Sequence, residues 1–220
     1  MSAPAFATFA GADRDEWLMR IGDEAAPAIL IVPPLFEEMN RTRALIAAVM
    51  RALARQGFCC WLPDLGGTGE SERDLADATW GDWRHDVGSA CAHVTEKAGK
   101  PLVASLRGGA LLDDAAAARG WWRFAPAEGL ALSRDMVRAG LAGVEWAGYA
   151  PSDALKAALS GATPAPVTPL RLVRLETDAL AADAKVDGPA LWRRSEPGTS
   201  DALAQALAAD IAAWSASCAG

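Results

Sequence analysis

Short, unbroken apolar runs recur along the chain, and most of them are followed by a stretch whose apolar residues return with helical spacing. Residues 28–32 (AILIV) form the clearest run, as expected of a strand buried on both faces of a sheet. The run stops at Pro33-Pro34, which cannot continue a ladder. Beyond Leu35-Phe36-Glu37-Glu38-Met39-Asn40, the residues Leu45, Ile46, Val49, Met50 and Leu53 share one face of a helix. Asn40 suits its N-cap, and Gly57 suits its C′ position. Residues 58–62 predict a second buried strand, and 63–71 (PDLGGTGES) a loop. Residues 80–98 predict a long helix with Trp83, Val87, Cys91 and Val94 inward. Leu102 to Ala104 lead into Ser105-Leu106-Arg107-Gly108-Gly109, and a small-residue helix is expected over 109–119. Further strands are expected at 121–124 and 170–175, with a weaker one at 190–193, and a closing amphipathic helix at 201–214. Residues 5–9 and 17–21 fit two short strands joined by a turn. Between 129 and 168 the helical pattern is broken by Gly and Pro, which suits a cap or excursion over the sheet.

Strand and helix alternate, so the expected class is α/β, with a mostly parallel central sheet and helices on both faces. A length of 220 residues favours one domain over 1–220, with 129–168 as its excursion. A net charge of -7 argues against nucleic-acid and anionic-membrane partners, both of which need a basic face. No stretch is long and apolar enough for a transmembrane helix, and the first residues do not read as a secretory signal; a cytoplasmic protein is expected. Cys59, Cys60, Cys91 and Cys218 contain no C-x-x-C pair, so neither a metal site nor a disulfide framework is suggested. Adjacent Cys59 and Cys60 read as buried thiols. Gly66-Gly67-Thr68-Gly69 lacks the Lys-Ser/Thr and the helix of a phosphate loop, and no cofactor is expected.

The chemistry is concentrated at residues 105–109. A buried strand, a sharp turn and a helix are the layout of a nucleophile elbow, G-x-S-x-G. Anchored on Gly109, this chain reads S-L-R-G-G, with Arg107 in the nucleophile's place. A guanidinium stays protonated and has no lone pair for attack. A serine hydrolase also needs a histidine after its last strand and an acid to orient it. His85 and His93 both precede the elbow, and no histidine follows. Asp178 stands near the acid's position with nothing to orient. Ser105 is a weak nucleophile candidate, since two residues before the apex its hydroxyl is expected to point away from the pocket mouth. His85, beside Asp82 and Asp86, reads as a solvated helix face, and Asp64 as a brace for its glycine turn.

The order and loop chemistry of these segments resemble the α/β-hydrolase fold, with DLGGTGES similar to the loop after its fourth strand. More narrowly, PPLFEEMNRTR, LPDLGGTGESE, the Trp80/Trp83 pair, SLRGGALL and WAGYAPSDAL resemble the hydrolase-like proteins that accompany exosortase A systems, in a subgroup with arginine at the elbow apex. The resemblance covers roughly residues 28–160. It implies the fold and a setting in exopolysaccharide export and protein sorting, with partners of that system.

Arg107 is expected to project into the pocket at the N-terminus of the following helix. There a cation opposes the helix dipole and is costly unless paired. Glu37 and Glu38 are its natural partners, one of them through a bidentate bond. Leu35, Phe36, Asn40 and Gly108 complete the expected ligand-binding set, and Arg43 could line the same loop. Three readings follow. In the first, a degenerate hydrolase binds an anionic small molecule, or a protein partner, around Arg107. In the second, an active hydrolase or transferase works on an acyl or ester substrate by a non-standard route, with Glu37 or Glu38 as base. The third is a structural subunit with a vestigial pocket.

Overall fold

The apolar runs become the middle of one sheet. The computed structural model describes residues 3–139 and 146–218. Its eight strands are β1 (Ala5–Ala10), β2 (Asp15–Ile21), β3 (Ala28–Val32), β4 (Cys59–Pro63), β5 (Leu102–Leu106), β6 (Gly120–Phe124), β7 (Leu170–Leu175) and β8 (Ala184–Val186). They lie in the order β1-β2-β4-β3-β5-β6-β7-β8. The pairs β1/β2 and β2/β4 are antiparallel, and every pairing from β4 across to β8 is parallel.

Every residue of β3, β4 and β5 is buried, because both faces of the sheet are covered. On one face, Ile29, Ile31, Ala104 and Leu106 pack with helices α1 (Glu37–Arg55) and α5 (Asp201–Ser217). Leu45, Ile46, Val49, Met50 and Leu53 supply the α1 side of that core. On the other face, Leu30, Val32, Trp61 and Val103 pack with Trp83, Val87, Cys91 and Val94 of α2 (Trp80–Ala98). Helix α2 opens with a capping box between Thr79 and Asp82. Between β6 and β7 the chain leaves the sheet as α3 (Gly129–Ala139) and α4 (Asp153–Gly161), whose Leu132, Met136, Leu155 and Leu159 join the α2-side core. Of the expected excursion over 129–168, residues 140–145 lie outside the described part.

Three expectations are corrected. The helix over 109–119 is absent; two short 3-10 turns, Arg107–Leu111 and Asp113–Ala115, stand there instead. Gly109 is pressed so close to β3 that a Cβ would meet the Val32 and Pro33 carbonyl oxygens at 2.5 and 2.6 Å. Asp113 then turns inward to bond Arg123 and Ser105, which ends helical propagation. The weak strand at 190–193 is a 3-10 turn, Leu191–Arg193, whose Leu191 and Trp192 are buried against the α1/α5 face. The last strand is β8, three residues too short to show a period of two. Asn40 is not a cap: α1 begins at Glu37 with Phe36 in the N-cap position and no side-chain cap.

Candidate functional site

The C-terminal ends of β3, β5 and β6 meet at three non-glycine residues with left-handed backbones: Phe36 (φ 55°), Arg107 (φ 50°) and Ala125 (φ 45°). Such conformations cost roughly 1–3 kcal/mol each and persist only where the surroundings over-determine them. The elbow strain is therefore retained although its apex is arginine. The following turn is a five-residue 3-10 segment, so no α-helix dipole acts on Arg107.

Arg107 is held from three sides. Its Nε donates to Glu38 Oε1 at 3.0 Å, and Nη2 lies 2.9 Å from the same oxygen. Nη1 donates to the Ala125 carbonyl at 3.0 Å. The guanidinium stacks on Trp192, 4.7 Å from the ring centroid. Trp192 follows the last strand, the part of the chain where a triad histidine would be sought. The ion pair thus joins Arg107 to Glu38 and not to Glu37, and it is not the expected two-oxygen fork. Among the described residues, Glu38 Oε2 is buried without a partner, and so is Trp192 Nε1. Burial pushes the Glu38 carboxyl above the usual range, against the pull of Arg107 and of the Gly108 N–H that faces it. In a working elbow the N–H after the nucleophile binds the oxyanion. Here the Glu38 carboxylate lies against that N–H.

The remaining predicted residues spread around this pair. Glu37 takes Arg41 at 3.2 Å and the Asn40 amide, which also donates to Tyr149 Oη at 2.7 Å. Phe36 packs against Trp83, Trp146 and Tyr149 with ring centroids 5.3–5.9 Å apart. Leu35 is buried beside Gly108, where a Cβ would press on its Cγ at 3.1 Å. Arg43 is exposed on α1. Ser105 is fully buried on the α2 side and donates to Asp113 Oδ2 at 2.6 Å; the same carboxylate takes Arg123 at 2.9 and 2.7 Å. Asp178 bonds Arg174 at 2.8 Å. Burial works to raise its pKa, but the Leu180 N–H and Arg174 prevail and hold it below the usual range.

The helix face expected at His85 is only partly solvated. His85 is exposed, but Asp86 is buried, accepting from the Ala12 and Gly66 N–H groups at 2.9 Å each. Glu16, 2% exposed, lies beside it and accepts from Ser71. A lone carboxylate within a polar helix face carries no sign that a distant loop will bury it. Asp64 does brace its turn, through the Glu70 N–H.

Arg107 and Trp192 also wall a cleft of about 160 Å³, completed by Leu175, Thr177, Asp178, Ala179, Ala190 and Arg193. Of these, the sequence singled out only Arg107 and Asp178. Arg193 sits in the segment misread as a strand, and no local pattern marks it. Among the described residues no group of His, Cys, Asp and Glu side chains could hold a metal ion.

This sheet order, elbow and flanking helices define the α/β-hydrolase fold. An esterase from Thermogutta terrifontis, solved with malate bound, superposes with a TM-score of 0.63, covering 98% of this chain and 100% of that one at 14% identity. Est1E from Butyrivibrio proteoclasticus, solved with ferulic acid, gives 0.57 over 77% of this chain and 78% of that one, also at 14% identity. Among curated proteins, the mitochondrial palmitoyl-protein thioesterase ABHD10 of Homo sapiens is 35% identical over 96 residues. That match covers 43% of this chain and 30% of the thioesterase's length. No protein-family model matches the chain.

Proposed function

We propose that this protein is a hydrolase-fold binder of small anions whose triad has been lost, working in the exosortase-associated setting that PPLFEEMN and the arginine elbow resemble, in the cytoplasm. One observation carries the reading: a strained elbow that holds a fixed guanidinium at the mouth of a cleft. A guanidinium has five N–H donors. Glu38 and Ala125 take one on each of the three nitrogens, counting the close Nη2 contact. One N–H on each terminal nitrogen is left for a ligand oxygen. The Glu38 carboxylate steadies the cation and lies against the Gly108 N–H that a working elbow offers to an oxyanion, so in this reading the contact that builds an anion site also removes the hydrolytic one.

The test is ligand-induced stabilisation. Titrating small carboxylates and phosphates should raise the melting temperature of the wild type, by mass action on the folded state. Arg107→Leu, if folded, should show no such rise. An unchanged response in that variant would sink the reading.

A second reading, hydrolysis of an acyl or ester bond by water activated at Glu38, is favoured by the raised pKa and unpartnered Oε2 of that residue. The esterase and thioesterase names of the similar proteins point the same way. It requires p-nitrophenyl ester turnover that disappears in Glu38→Gln. Fluorophosphonate should label no serine under either reading, Ser105 included.

A further inference from the structure

The anion-binding reading leaves the ligand's chemistry open, and the charges around the cleft narrow it. Arg107 and Arg193 line the cleft, and Arg193 has no side-chain partner among the described residues. The Asp178 carboxylate in the wall is already engaged by Arg174, while Lys185 donates to the Asp178 carbonyl. Arg174 Nε is itself buried without an acceptor among the described residues. Glu38 answers Arg107 and Asp178 answers Arg174, so Arg193 is the lining cation that no carboxylate among the described residues answers, in a protein whose overall charge is -7. Thr177, exposed in the same wall, adds a hydroxyl with no partner among the described residues.

Size points the same way. A cleft of about 160 Å³ is well below the several hundred Å³ that enclose a drug-sized molecule. It fits a head group, with the rest of the ligand outside. The Trp192 ring does not offer a free face for stacking an aromatic ligand on its Arg107 side. Recognition then rests on charge and on directed N–H and O–H donors.

Resting on the anion-binding reading, we propose that the site takes a phosphate monoester: a dianionic phosphoryl group set between Arg107 and Arg193, with Thr177 donating to a third oxygen. A dianion spans both guanidinium groups, and its three terminal oxygens match the three donor groups, Arg107, Arg193 and Thr177. A carboxylate offers one charge and two oxygens, and leaves Arg193 unanswered.

The experiment compares phenyl phosphate, its methyl diester and benzoate by isothermal titration calorimetry on the intact protein. The three share a ring and differ in the charge and oxygen count of the head. Phenyl phosphate should bind at least about tenfold more tightly than either of the others, the scale of one charge-assisted hydrogen bond. Arg193→Gln, an exposed change that should leave the fold intact, should remove most of that preference while benzoate affinity stays nearly constant. Benzoate or the diester binding as tightly as phenyl phosphate would overturn the phosphate assignment and leave the anion site standing. An unchanged preference in Arg193→Gln would also overturn it. If none of the three binds, the anion-binding reading itself falls.

Discussion

At the scale of single residues, the Arg107–Glu38 pair holds the apex of the elbow. Both side chains are nearly buried, at 13% and 9% exposure, so solvent screening does little to weaken the pair. Breaking a buried pair by removing one partner leaves the other charge uncompensated, at a cost of about 3–5 kcal/mol. Arg107→Ala should lower the unfolding free energy in urea by that amount. In a Glu38→Ala background the same change should cost far less, and a coupling below about 1 kcal/mol would show that the pair is not stabilising. Ser105→Ala tests the other buried network. It removes one donor to an Asp113 carboxylate that still holds Arg123, so a loss of about 1 kcal/mol is expected from the same urea titration. A much larger loss would mean that the hydroxyl organises the network.

At the scale of elements, the site depends on close approach between backbones. The end of β3 lies against the turn after β5 with no room for a side chain at Gly109. Gly109→Ala must push either the turn or the β3 carbonyls aside, and overpacking of this kind costs about 1–3 kcal/mol or more. The excursion has the same device, because a Cβ on Gly129 would fall 1.7 Å from the Leu159 carbonyl oxygen. Gly129→Ala should therefore part α3 from α4, with a lower melting temperature and earlier proteolysis within the excursion. A variant as stable and as protease-resistant as the wild type would contradict this crossing.

These contacts also show why the elements were unequally legible. The core strands β3 to β7 and helices α1, α2 and α5 follow from apolar periodicity, because each buries a face that its own residues announce. The helix expected over 109–119 failed for a different reason. Its alanines favour a helix, but Gly109 and Asp113 are held by partners on β3 and β6 that local propensity does not register. Asn40 has the chemistry of a cap, yet the chain starts its helix three residues earlier and uses the amide to bridge Glu37 and Tyr149.

Across the whole molecule, the carboxylates divide by environment, and this sets the pH dependence of stability. Burial raises Glu16, Asp86 and Asp64 above their ordinary values, against the hydroxyl and N–H groups they accept from. A raised group contributes stability that is present below its ordinary value and lost as pH rises through the folded one. The Arg84 partner holds Asp114 low, and Asp210 is also lowered: burial opposes the shift there, but Arg171 and the Trp122 N–H outweigh it. The contribution of these two runs the other way, present above the ordinary value and lost as pH falls through the folded one. Stability should therefore peak in mild acid and decline towards neutrality. Glu16→Gln should flatten that decline in urea titrations run upward from the ordinary glutamate value of about pH 4.3, by removing a buried group that must ionise. A wild-type slope retained in the variant would place the titration elsewhere.

What the amino-acid order determined by itself is the alternation of strand and helix, the strained elbow, and the presence of arginine where a nucleophile belongs. All three are local, written in periodicity, in glycines and in one residue's lack of a lone pair. Only the tertiary structure decided which glutamate answers Arg107, that Trp192 and Arg193 stand beside it, and that Ser105 faces Asp113 on the other side of the sheet. Those are meetings between residues 69, 85, 86 and 8 positions apart in the chain. The parallel crossovers that bring strand ends together fix such meetings, and a side chain carries no mark of the partner it will find there.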